Sequence, residues 1–181
     1  MEHKVLIDEA LMQITLHRLC RQLIENHNDF SRSAIIGLQP RGVFLARRMV
    51  EMLMKAGISS ILYGSLDITF FRDDFRLHQK PLKANQTNIN FLVEDLRVIF
   101  IDDVLYTGRS VRAALDAIQS FGRPSEIELL VLIDRRFSRQ LPIQADYVGS
   151  SVDAIASERV IVEWKEETGQ DQVIIIRPQN Q

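Results

Sequence analysis

The sequence has a single cysteine, Cys20. No intrachain disulfide can form, and a reducing compartment is expected. Cys20 lies inside a helical pattern, where it reads as a small buried hydrophobe. Charge of one sign is also missing: 22 basic against 24 acidic residues leave a formal net charge of −2. That balance argues against binding nucleic acid by bulk charge, though not against a local basic patch. No apolar run is long enough to span a bilayer, and Met1-Glu2-His3-Lys4 lacks the basic-then-apolar layout of a secretory signal. A cytoplasmic protein is expected. Two phosphate signatures are absent as well, G-x-x-x-x-G-K-[ST] and G-x-G-x-x-G, so neither a Walker-type loop nor a dinucleotide site has support. No His/Cys cluster suggests a transition metal, and no internal repeat or low-complexity stretch is present.

What is there is an ordinary globular composition. The 181 residues are 46% hydrophobic, enough for one domain with a substantial core. Asp8 is placed to cap a first helix carrying an apolar stripe of Met12, Leu16, Leu19 and Leu23. Residues 33–38 read as a strand, 42–55 as a helix ending at Gly57, and 58–68 as a further strand. The stretch 70–91 is long, polar and aperiodic, the mark of a functional or disordered loop such as a lid. Residues 127–134 and 147–148 look extended, and 160–164 with 173–176 form a hairpin-like pair turning near Gly169. Alternating β and α elements predict an α/β fold with a mainly parallel sheet flanked by helices.

The most informative segment is Val98-Ile99-Phe100-Ile101-Asp102-Asp103-Val104-Leu105-Tyr106-Thr107-Gly108-Arg109-Ser110. An apolar strand over 98–101 runs into two carboxylates, then a loop, then a helix whose apolar positions are Val111, Ala114, Leu115 and Ile118, with a stop near Gly122. Loops at the carboxyl end of a parallel strand that open a helix are where α/β folds hold phosphate. Thr107 and Ser110 offer hydroxyls, Gly108 permits close backbone approach, and amides 107–110 can form an anion nest. Carboxylates do not bind phosphate but accept hydrogen bonds from vicinal hydroxyls. A ribose 5-phosphate fits both halves.

At these residues the chain resembles the type I phosphoribosyltransferases, which bind 5-phosphoribosyl 1-diphosphate (PRPP) through a loop of this pattern. Within them it is most similar to the pyrimidine-operon attenuator proteins that are also uracil phosphoribosyltransferases. The likeness rests on residues 37–46, 67–74, 101–113 and 132–149. It implies the type I phosphoribosyltransferase fold: one domain over 1–181, a lid at about 70–91, and a small hood from about 133–181 plus the N-terminal segment. The implied reaction is uracil plus PRPP to UMP plus diphosphate, with Mg²⁺ accompanying PRPP, in a homodimer or higher homo-oligomer.

Such a transfer needs a clamp on ribose phosphate, stabilisation of the departing diphosphate, and exclusion of water. The resemblance assigns Asp102 and Asp103 to the ribose hydroxyls, and Tyr106, Thr107, Gly108, Arg109 and Ser110 to the 5-phosphate side. It assigns Gln39-Pro40-Arg41-Gly42 to diphosphate, with Arg41 as the cation. The family's loop contains a cis peptide. Here it would be Gln39–Pro40, where proline lowers the cost of cis to about 0.5–1 kcal/mol from about 2.5–4. Asp67-Ile68-Thr69-Phe70-Phe71-Arg72-Asp73-Asp74 resembles the base of the catalytic lid, with Arg72 meeting diphosphate. Asp73 and Asp74 either help hold Mg²⁺ through water or are solvated acids. Phe71 departs from the family's usual tyrosine.

The base would meet a hood around Ile133, Asp134 and Arg135, largely through backbone groups. Purine-specific relatives carry an aspartate where this chain has Tyr106, which favours a pyrimidine.

The attenuator proteins also bind a leader-RNA stem-loop, tightened by uridine nucleotides. Candidate contacts are His17, Arg18, Arg21, Arg136, Arg139 and Arg159, together with Arg135; read alone, these are solvated surface charges. The run Asp134-Arg135-Arg136-Phe137-Ser138-Arg139-Gln140-Leu141-Pro142 departs from the family's Asp-Arg-Gly-His-Arg-Glu-Leu-Pro in its glycine, its histidine and its length. The alternatives are an RNA-binding regulator with vestigial catalysis, or a phosphoribosyltransferase for another base.

Overall fold

Apolar β-branched strands separated by amphipathic helices bury their backbones best in a sheet covered on both faces. The computed structural model, which describes residues 2–71 and 86–177, has that architecture. Five strands, β2 (Ser33–Leu38), β3 (Leu62–Leu66), β4 (Arg97–Leu105), β5 (Glu126–Arg136) and β6 (Tyr147–Asp153), form a wholly parallel sheet in the order β3-β2-β4-β5-β6. Side chains alternate across it. Ile35, Ile99, Ile101, Leu130 and Leu132 join one core with helices α1 (Glu9–His27) and α2 (Gly42–Lys55). Ile36, Leu38, Val98, Phe100, Leu129 and Val131 join the other with α3 (Arg109–Ile118).

The helix limits follow local chemistry. Asp8 accepts a hydrogen bond from the Leu11 amide at 2.8 Å and caps α1, whose expected stripe is buried together with Cys20. Helix α2 spans the predicted residues and gives way to Gly57 at φ +98°. Helix α3 passes through a 3₁₀ turn, Gln119–Phe121, to Gly122. The strand expected over 58–68 is shorter, confined to β3.

A second, three-stranded antiparallel sheet is made by β1 (Glu2–Ile7), β7 (Arg159–Glu163) and β8 (Gln172–Arg177) in the order β1-β8-β7. Strand β1 gave no sequence signal, because its only apolar run, Val5-Leu6-Ile7, is too short to show a period. Between β7 and β8 lies a one-turn helix, α4 (Lys165–Thr168), ending at Gly169 with φ +86°. The small sheet is fastened to α2 through Arg48. Its guanidinium holds Asp171 at 2.8 and 2.7 Å and Glu166 at 3.1 and 2.6 Å, and stacks 4.8 Å from the fully buried Trp164 ring. Burial would raise the Asp171 carboxyl, but Arg48 and the Lys165 amide together hold it below the usual carboxylate range.

At the amino ends of the strands a buried polar cluster ties α1 to β2, β5 and β6. His27 Nδ1 lies 2.8 Å from the Ser33 hydroxyl, and Nε2 lies 3.2 Å from the Tyr147 hydroxyl and 2.7 Å from Glu128 Oε2. With Ser33 donating to Nδ1, the Nε2 proton faces Tyr147 and Glu128. Burial and the neighbouring Arg97 push His27 down to about 4, and burial raises Glu128. The signs oppose. His27 takes up its proton more readily unfolded, so stability falls as pH drops from 6.5 towards 4, while protonation of Glu128 returns part of it. With His27 dominant, the chain loses roughly 1–2 kcal/mol over that window. Urea melts at pH 7 and pH 4.5 measure it, and His27→Gln flattens the difference.

Candidate active site

The carboxyl ends of the parallel strands form the rim where such sheets bind ligands, and the loops after β2 and β4 meet there. Strand β4 runs further than the sequence suggests: it stays paired with β5 to Leu105, opposite Asp134. The two acids are therefore strand residues, not loop residues, and successive strand side chains face opposite sides. Asp102 lines a cavity of about 110 Å³ with Tyr106, Thr107, Gly108, Ser110 and Val111. Asp103, only 6% exposed, meets Arg41, whose Nε donates to its Oδ2 at 2.8 Å. The acid pair thus addresses two loops at once.

The phosphate-type loop is built as its residues require. Gly108, with φ +91°, takes the left-handed turn that caps α3. Its opening is buttressed from the segment after β5. The amides of Gln140 and Leu141 donate to the Thr107 carbonyl at 3.1 and 3.2 Å, and Arg109 Nε donates to Gln140 Oε1 at 2.8 Å.

The loop after β2 contains the expected cis peptide, Gln39–Pro40. Gln39 donates to the Ser65 hydroxyl at 3.2 Å and the Gln86 carbonyl at 2.6 Å. Gly42 is tightest of all: a Cβ there would run into the Ile101 carbonyl oxygen and sit 2.9 Å from the Asp102 Cα. Only glycine lets the start of α2 lie on β4 beside the acids. Arg41, which precedes it, uses all three guanidinium nitrogens: Nε to Asp103, Nη1 to Glu167 Oε2 at 3.2 Å, and Nη2 to the Val162 carbonyl, leaving a second N–H on each Nη. The contributions of Val162 and Glu167 carried no signal in the sequence.

Other candidates are placed as follows. Asp67 folds back on itself, accepting from the Thr69 amide and hydroxyl at 2.9 and 2.6 Å. Arg72, Asp73 and Asp74, with most of the expected lid, lie outside the described residues. Ile133, Asp134 and Arg135 belong to β5 of the main sheet rather than to the small sheet. Ile133 is fully buried, so only its backbone can face a ligand. Arg135 is 5% exposed, donates to the Ile155 and Glu158 carbonyls at 3.2 Å, and lies 4.0 Å from the Tyr106 ring centroid. It fixes the tyrosine and is withdrawn from solvent. Asp134 pairs with Arg139, which also donates to the Tyr106 carbonyl at 2.6 Å.

The basic candidates do not form one patch through their contacts. Arg18 is bound to the Val148 and Gly149 carbonyls at the β6 edge, and Arg136 to Asp153 at 2.6 and 2.9 Å. His17 and Arg21, one turn apart on α1, and Arg159 are exposed. A wider cavity, about 570 Å³, opens at the opposite end of the sheet around Arg32 and Arg97. Its arginines are mixed with Asp29 and Glu126, and no strand-to-helix phosphate loop enters it.

Comparison with known proteins bears on the family and the fold. The family described as phosphoribosyl transferase domain matches residues 7–167. The chain is 41% identical over 179 residues to the bifunctional protein PyrR of Elusimicrobium minutum, covering 98% of each. It is 43% identical over 173 residues to that of Desulfosudis oleivorans, covering 95% of each. Among solved structures, hypoxanthine phosphoribosyltransferase from Trypanosoma cruzi in complex with its product IMP superposes with a TM-score of 0.74 at 13% identity, over 97% of this chain and 95% of that one. At that identity the likeness concerns the fold alone. No helix among the described residues is long and apolar enough to cross a membrane.

Proposed function

The chain belongs to the phosphoribosyltransferases and, within them, to the bifunctional PyrR proteins, and on that premise we propose that it transfers the 5-phosphoribosyl group of PRPP to uracil, giving UMP and diphosphate. The observation that carries this reading is the junction at the end of β4. One acid lines a phosphate-sized cavity, and its neighbour holds the cation of the adjoining loop. In the transfer, the bond from the anomeric carbon to diphosphate breaks, a bond to a uracil ring nitrogen forms, and that nitrogen loses its proton. Positive charge builds on the ribose ring and negative charge on the leaving group. Asp102 and Asp103 accept hydrogen bonds from the ribose hydroxyls and stabilise the first. Arg41 stabilises the second, joined by Arg72 of the lid.

Among the described residues, no group of three or more His, Cys, Asp or Glu side chains comes together to cage a metal. The donor set instead suits Mg²⁺ carried by the substrate, since that ion is held by phosphates, water and one or two carboxylates. Bound there, it supplies charge neutralisation of the diphosphate. Tyr106, locked by Arg135 where purine enzymes carry an acid, supports a pyrimidine, read by backbone groups at the end of β5. Offered uracil, hypoxanthine and orotate together, the protein is expected to consume uracil alone; consumption of hypoxanthine overturns the assignment.

The second half of the proposal is regulation: UMP-responsive binding of pyrimidine leader mRNA in the cytoplasm. His17, Arg21 and Arg159 are exposed cations that can meet RNA phosphates. A filter-binding titration with the organism's own pyrimidine leader is expected to saturate and to tighten with UMP. Absence of saturable binding at moderate salt removes it. Binding without detectable UMP synthesis would favour the alternative, a regulator with vestigial catalysis.

A further inference from the structure

We propose that Glu167 of α4 is a positioning residue that holds Arg41 on the small sheet and competes with diphosphate for it. The inference rests on the assignment of Arg41 to diphosphate. All three guanidinium nitrogens of Arg41 have protein acceptors: Asp103 from β4, the Val162 carbonyl from β7, and Glu167 from α4. Two of its five N–H donors have no acceptor among the described residues, and the side chain is 38% exposed. A diphosphate oxygen therefore reaches this cation beside the acceptors already there and is opposed by their carboxylates. Asp103 is buried and the Val162 carbonyl is fixed within a strand, whereas the Glu167 side chain is 40% exposed and its contact, at 3.2 Å, is long. Glu167 is the acceptor that yields. Its platform does not yield with it, because α4 is anchored to α2 separately: Arg48 grips Glu166 and Asp171, and Trp164 packs under that arginine. The ligand-free site therefore keeps its diphosphate cation neutralised and aimed, and exchanges one carboxylate for another anion on binding.

The test is calorimetric titration of the full chain with inorganic diphosphate and Mg²⁺, alongside E167Q and E166Q. Losing a half-exposed ion-pair competitor is expected to tighten diphosphate binding by E167Q about two- to fivefold at low salt, with the gain shrinking as salt rises. The KM for PRPP falls correspondingly, and that for uracil does not. E166Q removes an acceptor of Arg48 but none of Arg41, and leaves diphosphate affinity as in the parent. An E167Q affinity that is unchanged or weaker, or an equal shift in E166Q, overturns the positioning role while leaving the proposed function standing. No diphosphate binding by the parent chain overturns the proposed function and this inference with it.

Discussion

An Asp103→Asn variant is expected to form UMP about 100- to 1,000-fold more slowly than the parent chain, the cost of removing one preorganised electrostatic partner from a transition state. The carboxylate has two tasks that asparagine performs poorly. It accepts from a ribose hydroxyl, and its negative charge faces the ring on which positive charge develops. Folding should survive. The asparagine side-chain oxygen can still accept from Arg41 Nε, and the strand pairing of β4 with β5 does not involve the side chain. The thermal midpoint should shift by only a few degrees, since a charge-assisted hydrogen bond is replaced by a neutral one, roughly 1 kcal/mol. Initial rates with labelled uracil, paired with a melt of the same preparation, separate the two effects. Undiminished turnover would remove Asp103 from the mechanism.

The second large effect is expected at Gly42, which has no side chain to offer the substrate. In Gly42→Ala the new methyl meets the Ile101 carbonyl oxygen and the Asp102 Cα, both backbone, so α2 must move away from β4. Overpacking of this kind costs about 1–3 kcal/mol of stability. The displacement carries Arg41 away from Asp103, and a misplacement of about 1 Å at a reacting site can lower turnover about 100-fold. The rate loss should appear mainly with PRPP and diphosphate, the ligands proposed for that loop. Wild-type kinetics in a Gly42→Ala protein would show that the two loops need not touch.

Local signals in this chain were legible and distant ones were not. The β2 strand, the α2 helix and the Asp8 cap announce themselves through period and capping chemistry within a few residues, and the structure has them at the expected bounds. The junction of β4 and α3 was readable because strand, glycine turn and helix follow one another directly. The acid pair was misplaced in the fold: an apolar run ending at Ile101 gave no hint that pairing with the long β5 strand continues to Leu105. That continuation turns Asp102 to the cavity before α3 and Asp103 to Arg41. The link from Arg41 to Glu167 spans 126 positions and depends on a second sheet whose first strand left no pattern in the sequence. Arg135 misled for a related reason. A cation read on its own looks like a solvated contact, and only the fold supplies the carbonyls that hold Arg135 out of solvent.

The central claim is that the β4 junction performs phosphoribosyl transfer to uracil. Its most direct test is incubation of the full chain with uracil, PRPP and Mg²⁺, with UMP and diphosphate quantified over time. The account predicts equimolar UMP and diphosphate, formed at a rate that collapses in Asp103→Asn. No UMP from the folded parent chain would contradict it.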